Sequence, residues 1–313
     1  MKPLPALRIV PQALLLALAL AAVLLAGPAW AQRLDETPRV AVVSAFDAEL
    51  ERLLAETRQP ARHRVNGIEF TTGVLEGRPV VLVLSGISMT NAAMTTQLLL
   101  ERFRVTHIVV SGIAGGVDPQ LRIGDVTVPR RWASYLEALF ARETAPGRYV
   151  APSWMKDADR PAFGMIHPRP VEVRSARSDA IEKKFWFEVD PALLEAARRV
   201  DAGVLARCAS PQLCLSRQPR LAVGGNGVSG QAFVDNAAFR DYTHRSFEAQ
   251  VLDMETSAIG QVAYANGVPW IAFRSLSDLA GGGEGENEIA TFFRLAADNS
   301  ARVVRDFLRR WQP

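Results

Sequence analysis

Only two cysteines, Cys208 and Cys214, occur in 313 residues. So few exclude a disulfide-dense scaffold and a zinc centre built from four thiolates. Histidine is scarce as well: His63, His107, His167 and His244 lie far apart without ligand-like spacing. That leaves no HExxH helix, and the absence of a G-x-S-x-G elbow removes the common serine-hydrolase arrangement. The clusters Gly112-Ile-Ala-Gly-Gly116 and Gly224-Gly-Asn-Gly227 match neither the dinucleotide fingerprint nor a P-loop, since no Lys-Ser/Thr pair follows. Charge of one sign is lacking too, with 36 basic residues against 33 acidic ones. No basic stretch interleaved with aromatics marks a nucleic-acid surface. Repeats and low-complexity runs are absent, so each segment has to be read on its own.

What is present is a chain that is 49% hydrophobic, long enough to bury a large core and too apolar for disorder. Its N-terminus reads as an export signal: Lys2 and Arg8 precede an apolar stretch from Val10 to Ala26, and Ala29-Trp30-Ala31 supplies a small-x-small cleavage site. The competing reading is an uncleaved anchor, but the unbroken run Ala13 to Ala26 falls short of the roughly 20 residues a membrane helix needs. Cleavage after Ala31 removes two basic residues and no acid, so the remainder is nearly neutral. The expected organisation is a signal peptide over 1–31, then one domain over 32–313 that is exported, periplasmic or secreted, without stable membrane insertion. In an oxidising compartment the six-residue spacing of Cys208 and Cys214 favours a local disulfide, the alternative being two unpaired thiols.

Short apolar runs alternate with amphipathic segments. Strands are expected at Arg39 to Ser44, Pro79 to Ser85, His107 to Ser111, Leu221 to Gly224, Val251 to Met254 and Pro269 to Leu276, with a hairpin at Gly67 to Leu75. Helices are expected from Asp47, over Asn91 to Arg102, Pro191 to Val200 and Glu255 to Asn266, and within Glu288 to Trp311. A glycine turn, Gly112 to Val117, is expected to end its strand. Residues 140 to 190 break the rhythm and read as an insertion. Strands apolar on both faces, alternating with helices, predict an α/β protein with its sheet covered on both sides.

Three acids stand at strand ends, where α/β sheets gather their ligands. Glu49 follows the first strand, Glu255 opens a helix after Asp253-Met254, and Asp278 ends a strand on whose face Arg274 and Leu276 also lie by alternation. Each acid taken alone is as well explained as a helix-terminal charge or cap.

Seven segments, in order, resemble a known family. They are Val42-Val-Ser-Ala-Phe-Asp-Ala-Glu49, Ser85-Gly-Ile, Gly112-Ile-Ala-Gly-Gly, Ile123-Gly-Asp125, Ser229-Gly-Gln-Ala-Phe233, Asp253-Met-Glu-Thr-Ser-Ala-Ile259 and Arg274-Ser-Leu-Ser-Asp278. Together they resemble the purine nucleoside phosphorylase/uridine phosphorylase superfamily, and within it the 5′-methylthioadenosine/S-adenosylhomocysteine nucleosidases. The stretches Asn226 to Phe239 and Ser275 to Gly282 are similar to the plant bark-storage proteins. The resemblance implies a three-layer αβα sandwich with a central mixed, twisted sheet, in a homodimer or larger homo-oligomer. It implies cleavage of purine nucleosides by water, without a cofactor or metal and with no nucleic acid as partner. Asp278 would be the general acid at the purine, positioned by Ser277, and Glu49 would activate the water. Glu255 would hold the ribose hydroxyls with Met254 beside the sugar, while Phe233 stacks on the base and Val234 meets it through its backbone. Ile113 and Arg274 complete the expected substrate site.

Two alternatives belong beside this reading. A phosphorylase would need cationic donors for phosphate. The loop Ser44-Ala-Phe-Asp-Ala-Glu49 is acidic instead, and Val110 and Ile113 stand where the resemblance places phosphate ligands. A silent nucleoside-binding or storage protein would keep the cavity without turnover. Ile113 and the 140–190 insertion leave the 5′-substituent preference open.

Overall fold

The computed structural model describes residues 33–155 and 160–312; the expected signal peptide lies outside them. Strand β1 (Asp35–Ser44) pairs in parallel with β4 (Arg78–Leu84) on one side and β5 (Phe103–Gly116) on the other. Between them come α1 (Asp47–Ala55), β2 (Arg58–Val65) and β3 (Ile68–Leu75), with α2 (Met89–Arg102) before β5. The expected hairpin is realised as β2–β3, turned at Asn66-Gly67. Helix α2 starts two residues earlier than expected, because the Ser88 hydroxyl accepts from Asn91 N and caps it.

After β6 (Val126–Val128) and β7 (Arg131–Ser134) come α3 (Pro191–Ala197), β8 (Leu221–Val223), β9 (Asn226–Ser229), α4 (Ala237–Phe247) and β10 (Ala249–Asp253). The chain closes with α5 (Thr256–Ala265), β11 (Trp270–Asp278) and α6 (Ile289–Arg310). With the two-residue strand Phe187–Glu188 at the edge beside β7, these form one mixed sheet of 12 strands, in which β11 runs parallel to β5 while β10 meets the end of β5 antiparallel.

The layers follow from alternation along β1. Val40 and Val42 face a core with Leu50 and Leu53 of α1, Ala196 of α3 and Val303, Val304, Phe307 and Leu308 of α6. Ala41 and Val43 face the opposite core, with Leu99 of α2 and Ile259 and Ala263 of α5. The expected α/β sandwich with a central mixed sheet is therefore observed.

Two expectations need correction. Gly112 to Gly116 is not a turn: β5 continues through Gly116, paired with β11 up to Asp278. These glycines serve close approach, since a Cβ on Gly112 would lie 2.1 Å from Arg274 Nη1 and one on Gly116 2.8 Å from Leu276 Cδ1. The second concerns residues 226–247, where β9 and α4 were not anticipated. Their apolar anchors Phe239, Tyr242 and Phe247 are spaced too sparsely to reveal a helical stripe.

The 140–190 region folds as small hairpins, 142–145 with 148–150 and 171–175 with 178–184, while 138–140 pairs with 166–168. Phe163 fixes it to α4 through edge contacts with Phe239, and Tyr242 Oη donates to Pro161 O (2.8 Å). Cys208 and Cys214 form a disulfide across a short antiparallel pair.

Helix α6 is held by Phe307, which is fully buried against Phe273 and stacked on Trp311. Phe307→Ala is expected to cost about 3–5 kcal/mol in urea denaturation. A loss below about 1 kcal/mol would contradict this packing.

Candidate active site

Strand β5 and the C-terminal ends of β10 and β11 open onto a cavity of roughly 120 Å³. Glu49 stands on one wall from the first turn of α1, next to Ile113, Ala114 and Gly115 of β5. Asp253, Met254 and Glu255 contribute the wall where β10 runs into α5, and Ser277 and Asp278 the wall at the end of β11. The pairing of β5 with β11 is irregular between Leu276 and Asp278, so consecutive residues Ser277 and Asp278 both reach the cavity. Phe233 and Val234 come from the segment between β9 and α4, with Phe233 half exposed at the mouth. Of the residues expected from sequence, Glu49, Ile113, Phe233, Val234, Met254, Glu255, Ser277 and Asp278 share this cavity.

Arg274 is placed differently. It is 1% exposed and lies behind the lining, not in it. Its Nε lies 2.7 Å from Asp253 Oδ2, Nη2 lies 3.4 Å from Glu255 Oε2 and Nη1 lies 3.7 Å from Glu49 Oε1. One cation thus faces three buried carboxylates.

Each acid is further fixed by backbone donors. Glu49 accepts from Ala45 N (2.6 Å) and Ile113 N (2.7 Å). Burial nonetheless raises its pKa, against the pull of Arg274 and these amides. Glu255 accepts from Ser88 N (3.1 Å). That residue holds the unusual φ of 109° that presents its N–H to the carboxylate, a strained backbone position of the kind found at functional sites. Burial, reinforced by Asp253 and Glu49 and opposed by Arg274, pushes the Glu255 carboxyl up to about 7. Asp253 accepts from Ser229 Oγ (2.5 Å) and from the Thr256 hydroxyl, which ties β9 to the start of α5.

Asp278 is 3% exposed, and burial raises its pKa, with the nearby Glu288 charge adding to the shift. Its Oδ1 accepts from Ala280 N (2.9 Å) and its Oδ2 from Ser277 Oγ (2.8 Å). A carboxyl raised in this way can carry a proton at higher pH than an exposed aspartate.

Sequence reasoning missed Asp253 as a site group, although it directly precedes the Met254-Glu255 pair. The apolar wall of Phe46, Ile87 and Ile289 was missed as well, because these residues come from three separate loops or helix ends. Among the described residues no Lys, Arg or His lines the cavity. Among the described residues no group of His, Cys, Asp and Glu could hold a metal ion.

Residues 39–309 match the phosphorylase superfamily. The 5′-methylthioadenosine/S-adenosylhomocysteine nucleosidase of Geobacillus kaustophilus is 30% identical over 271 residues, covering 86% of this chain and 96% of that one. The Mycobacterium tuberculosis protein of the same name is 28% identical over 266 residues, with coverage of 85% and 94%. Among solved structures, the Neisseria meningitidis nucleosidase in complex with methylthio-immucillin-A superposes with a TM-score of 0.65 at 24% identity, over 88% of this chain and 100% of the other. The Helicobacter pylori futalosine hydrolase superposes at 0.63 and 19% identity, over 88% and 98%. These structures share the fold. The match across residues 39–309 settles the relationship: the chain belongs to the phosphorylase superfamily.

Proposed function

We propose that the protein is an exported purine nucleosidase that hydrolyses the N-glycosidic bond of adenosine-type nucleosides. The observation that carries the proposal is the cavity itself, which sets Asp278, Glu49 and Glu255 on different walls around one space whose lining, among the described residues, holds no cation. The curated relatives, named as nucleosidases, support the same class of reaction.

In this reading Asp278 gives its proton to N7 of the purine as the bond from C1′ to N9 breaks. The bonding electron pair leaves with the base, which departs neutral. The sugar becomes oxocarbenium-like, and the Glu49 carboxylate stabilises that developing positive charge. A water oxygen then bonds to C1′ and its proton passes to Glu49. Glu255 holds the ribose hydroxyls, and Phe233 lies over the base, where stacking contributes about 1–3 kcal/mol.

Phosphate fits the cavity poorly as an alternative nucleophile. It would bring negative charge beside three acids, and Arg274, the cation that could meet it, is already engaged by all three. On the remaining side, Phe46, Ile87, Ile113, Ile289 and Phe293 form an apolar ledge continuous with the cavity. That ledge favours an uncharged 5′-substituent such as a thioether over a free hydroxyl or phosphate.

Export rests on residues 1–31, and the Cys208–Cys214 disulfide is chemistry that an oxidising compartment sustains. Among the described residues no helix is long and apolar enough to cross a membrane. A homo-oligomer belongs to the same proposal, and the exposed Ile87 and Met94 give it apolar surface to cover.

Asp278→Asn should lower kcat for base release by at least about 10²-fold while nucleoside binding persists. Glu49→Gln should lower it comparably, and near-wild-type turnover in either variant would remove that residue from its role. A second prediction concerns pH. Because the folded chain holds a proton on Glu255 up to about pH 7, against 4.5 for an ordinary glutamate, folding stability should fall as pH rises through this window. Glu255→Gln should remove that part of the decline in Tm. A variant whose Tm keeps the wild-type slope would contradict the raised carboxyl.

A further inference from the structure

Between β11 and α6 runs the segment Gly281-Gly-Gly-Glu-Gly-Glu-Asn-Glu288, which none of the roles above uses. Asn287 in this segment makes three contacts through one amide. Its Nδ2 donates to Asp235 Oδ1 (3.0 Å) and to Asp278 Oδ1 (3.4 Å), while its Oδ1 accepts from Ile289 N (3.0 Å) at the start of α6. The partners fix the orientation of this amide, since the reverse would turn its oxygen towards two carboxylates.

Asp235 directly follows Phe233 and Val234, the residues at the base. The same segment touches the glycine stretch twice more. Asn236 N donates to Ala280 O (3.1 Å), and a Cβ on Gly281 would lie 2.3 Å from Asn236 N. Gly281, with a φ of +84°, can therefore be only glycine. The geometry points to Asn287 as a positioning residue that fixes the Asp278 carboxyl and ties it to the base-contacting segment Phe233–Asn236. The inference rests on the reading of Asp278 as general acid.

The physical consequence concerns which oxygen carries the proton. Oδ1 already accepts from Ala280 N and Asn287 Nδ2, so the proton that is to be donated belongs on Oδ2. Ser277 Oγ, which donates to Oδ2, has Ala114 O at 3.4 Å as a second acceptor and can turn to it when Oδ2 is protonated. The Asn287 contact is long at 3.4 Å, and catalytic hydrogen bonds of this kind tighten around bound substrate. The charged groups facing Asp278 are Glu288 at the start of α6 and Asp235 through Asn287, while Glu49, Asp253 and Glu255 line the same cavity.

Two variants separate positioning from helix capping. Asn287→Ala removes the donor and the cap, whereas Asn287→Ser keeps a hydroxyl acceptor for Ile289 N, adds no charge and is too short to reach Asp278. Both should lower kcat roughly ten- to hundredfold with a smaller change in KM. In both, the alkaline limb of the kcat–pH profile should move up by about half a unit or more, because the carboxylate of Asp278 loses a donor. Asn287→Ser should retain more of the wild-type Tm than Asn287→Ala. Carboxyl NMR of the Asp278 titration, assigned with Asp278→Asn, should show the same upward move in protein without substrate. That readout stands even if the enzyme turns over none of the nucleosides tried. Unchanged kcat and an unmoved titration in both variants would overturn the proposal. A lowered Tm with an unmoved titration would overturn it too, by reducing Asn287 to a cap. Full turnover in Asp278→Asn would instead refute the general-acid reading, which separates the two failures.

Discussion

A single guanidinium holds this site together. Arg274 is buried with the carboxylates of Glu49, Asp253 and Glu255 around it, and these acids arrive from the α1 turn and the junction of β10 with α5. Removing one partner of such a buried cluster leaves unpaired charge at a cost of about 3–5 kcal/mol. The surrounding backbone is shaped to allow it. Gly112 has no side chain because Arg274 Nη1 and Glu49 Oε1 occupy the space where a Cβ would go. The pairing of β5 with β11 sets Gly112 directly opposite Arg274, so the centre of the sheet and the charge cluster specify one another.

The same cluster constrains the chemistry. Three acids to one cation leave an excess of negative charge, relieved in part by the proton that burial holds on Glu255. A site of this sign suits a cationic sugar intermediate and repels an anionic nucleophile. Asp278 stands apart, away from Arg274 and with Glu288 as its charged neighbour, so its proton is governed by burial and by hydrogen bonds. In the proposed reaction two carboxyl environments in one cavity would divide the work, one side meeting developing positive charge and the other delivering a proton.

Much of this was legible in the sequence. The apolar runs of β1, β4 and β11 and the strand-end placement of Glu49, Glu255 and Asp278 follow from periodicity and from where α/β sheets bind ligands. The roles proposed for these acids rest on the ordered motifs, since a lone acid at a helix start reads equally well as a cap. Arg274 was expected on the face it shares with Asp278, but the irregular pairing near Ser277 separates them, and strand alternation gives no warning of a bulge. The run Gly112 to Gly116 was read as a turn because glycine for close approach and glycine for bending look alike in a sequence. Asn287 was invisible for a related reason: its segment has no period, and its partners Asp235 and Asp278 lie 52 and 9 residues away.

The most direct test of the account follows the products. The chain beginning at Gln32 would be incubated with 5′-methylthioadenosine, adenosine and inosine, with and without inorganic phosphate, and base and sugar separated by chromatography. The account predicts free base and free sugar at equal rates in both conditions, with the adenine nucleosides preferred. A sugar 1-phosphate formed only when phosphate is present would contradict it, and so would nucleoside binding with no base released.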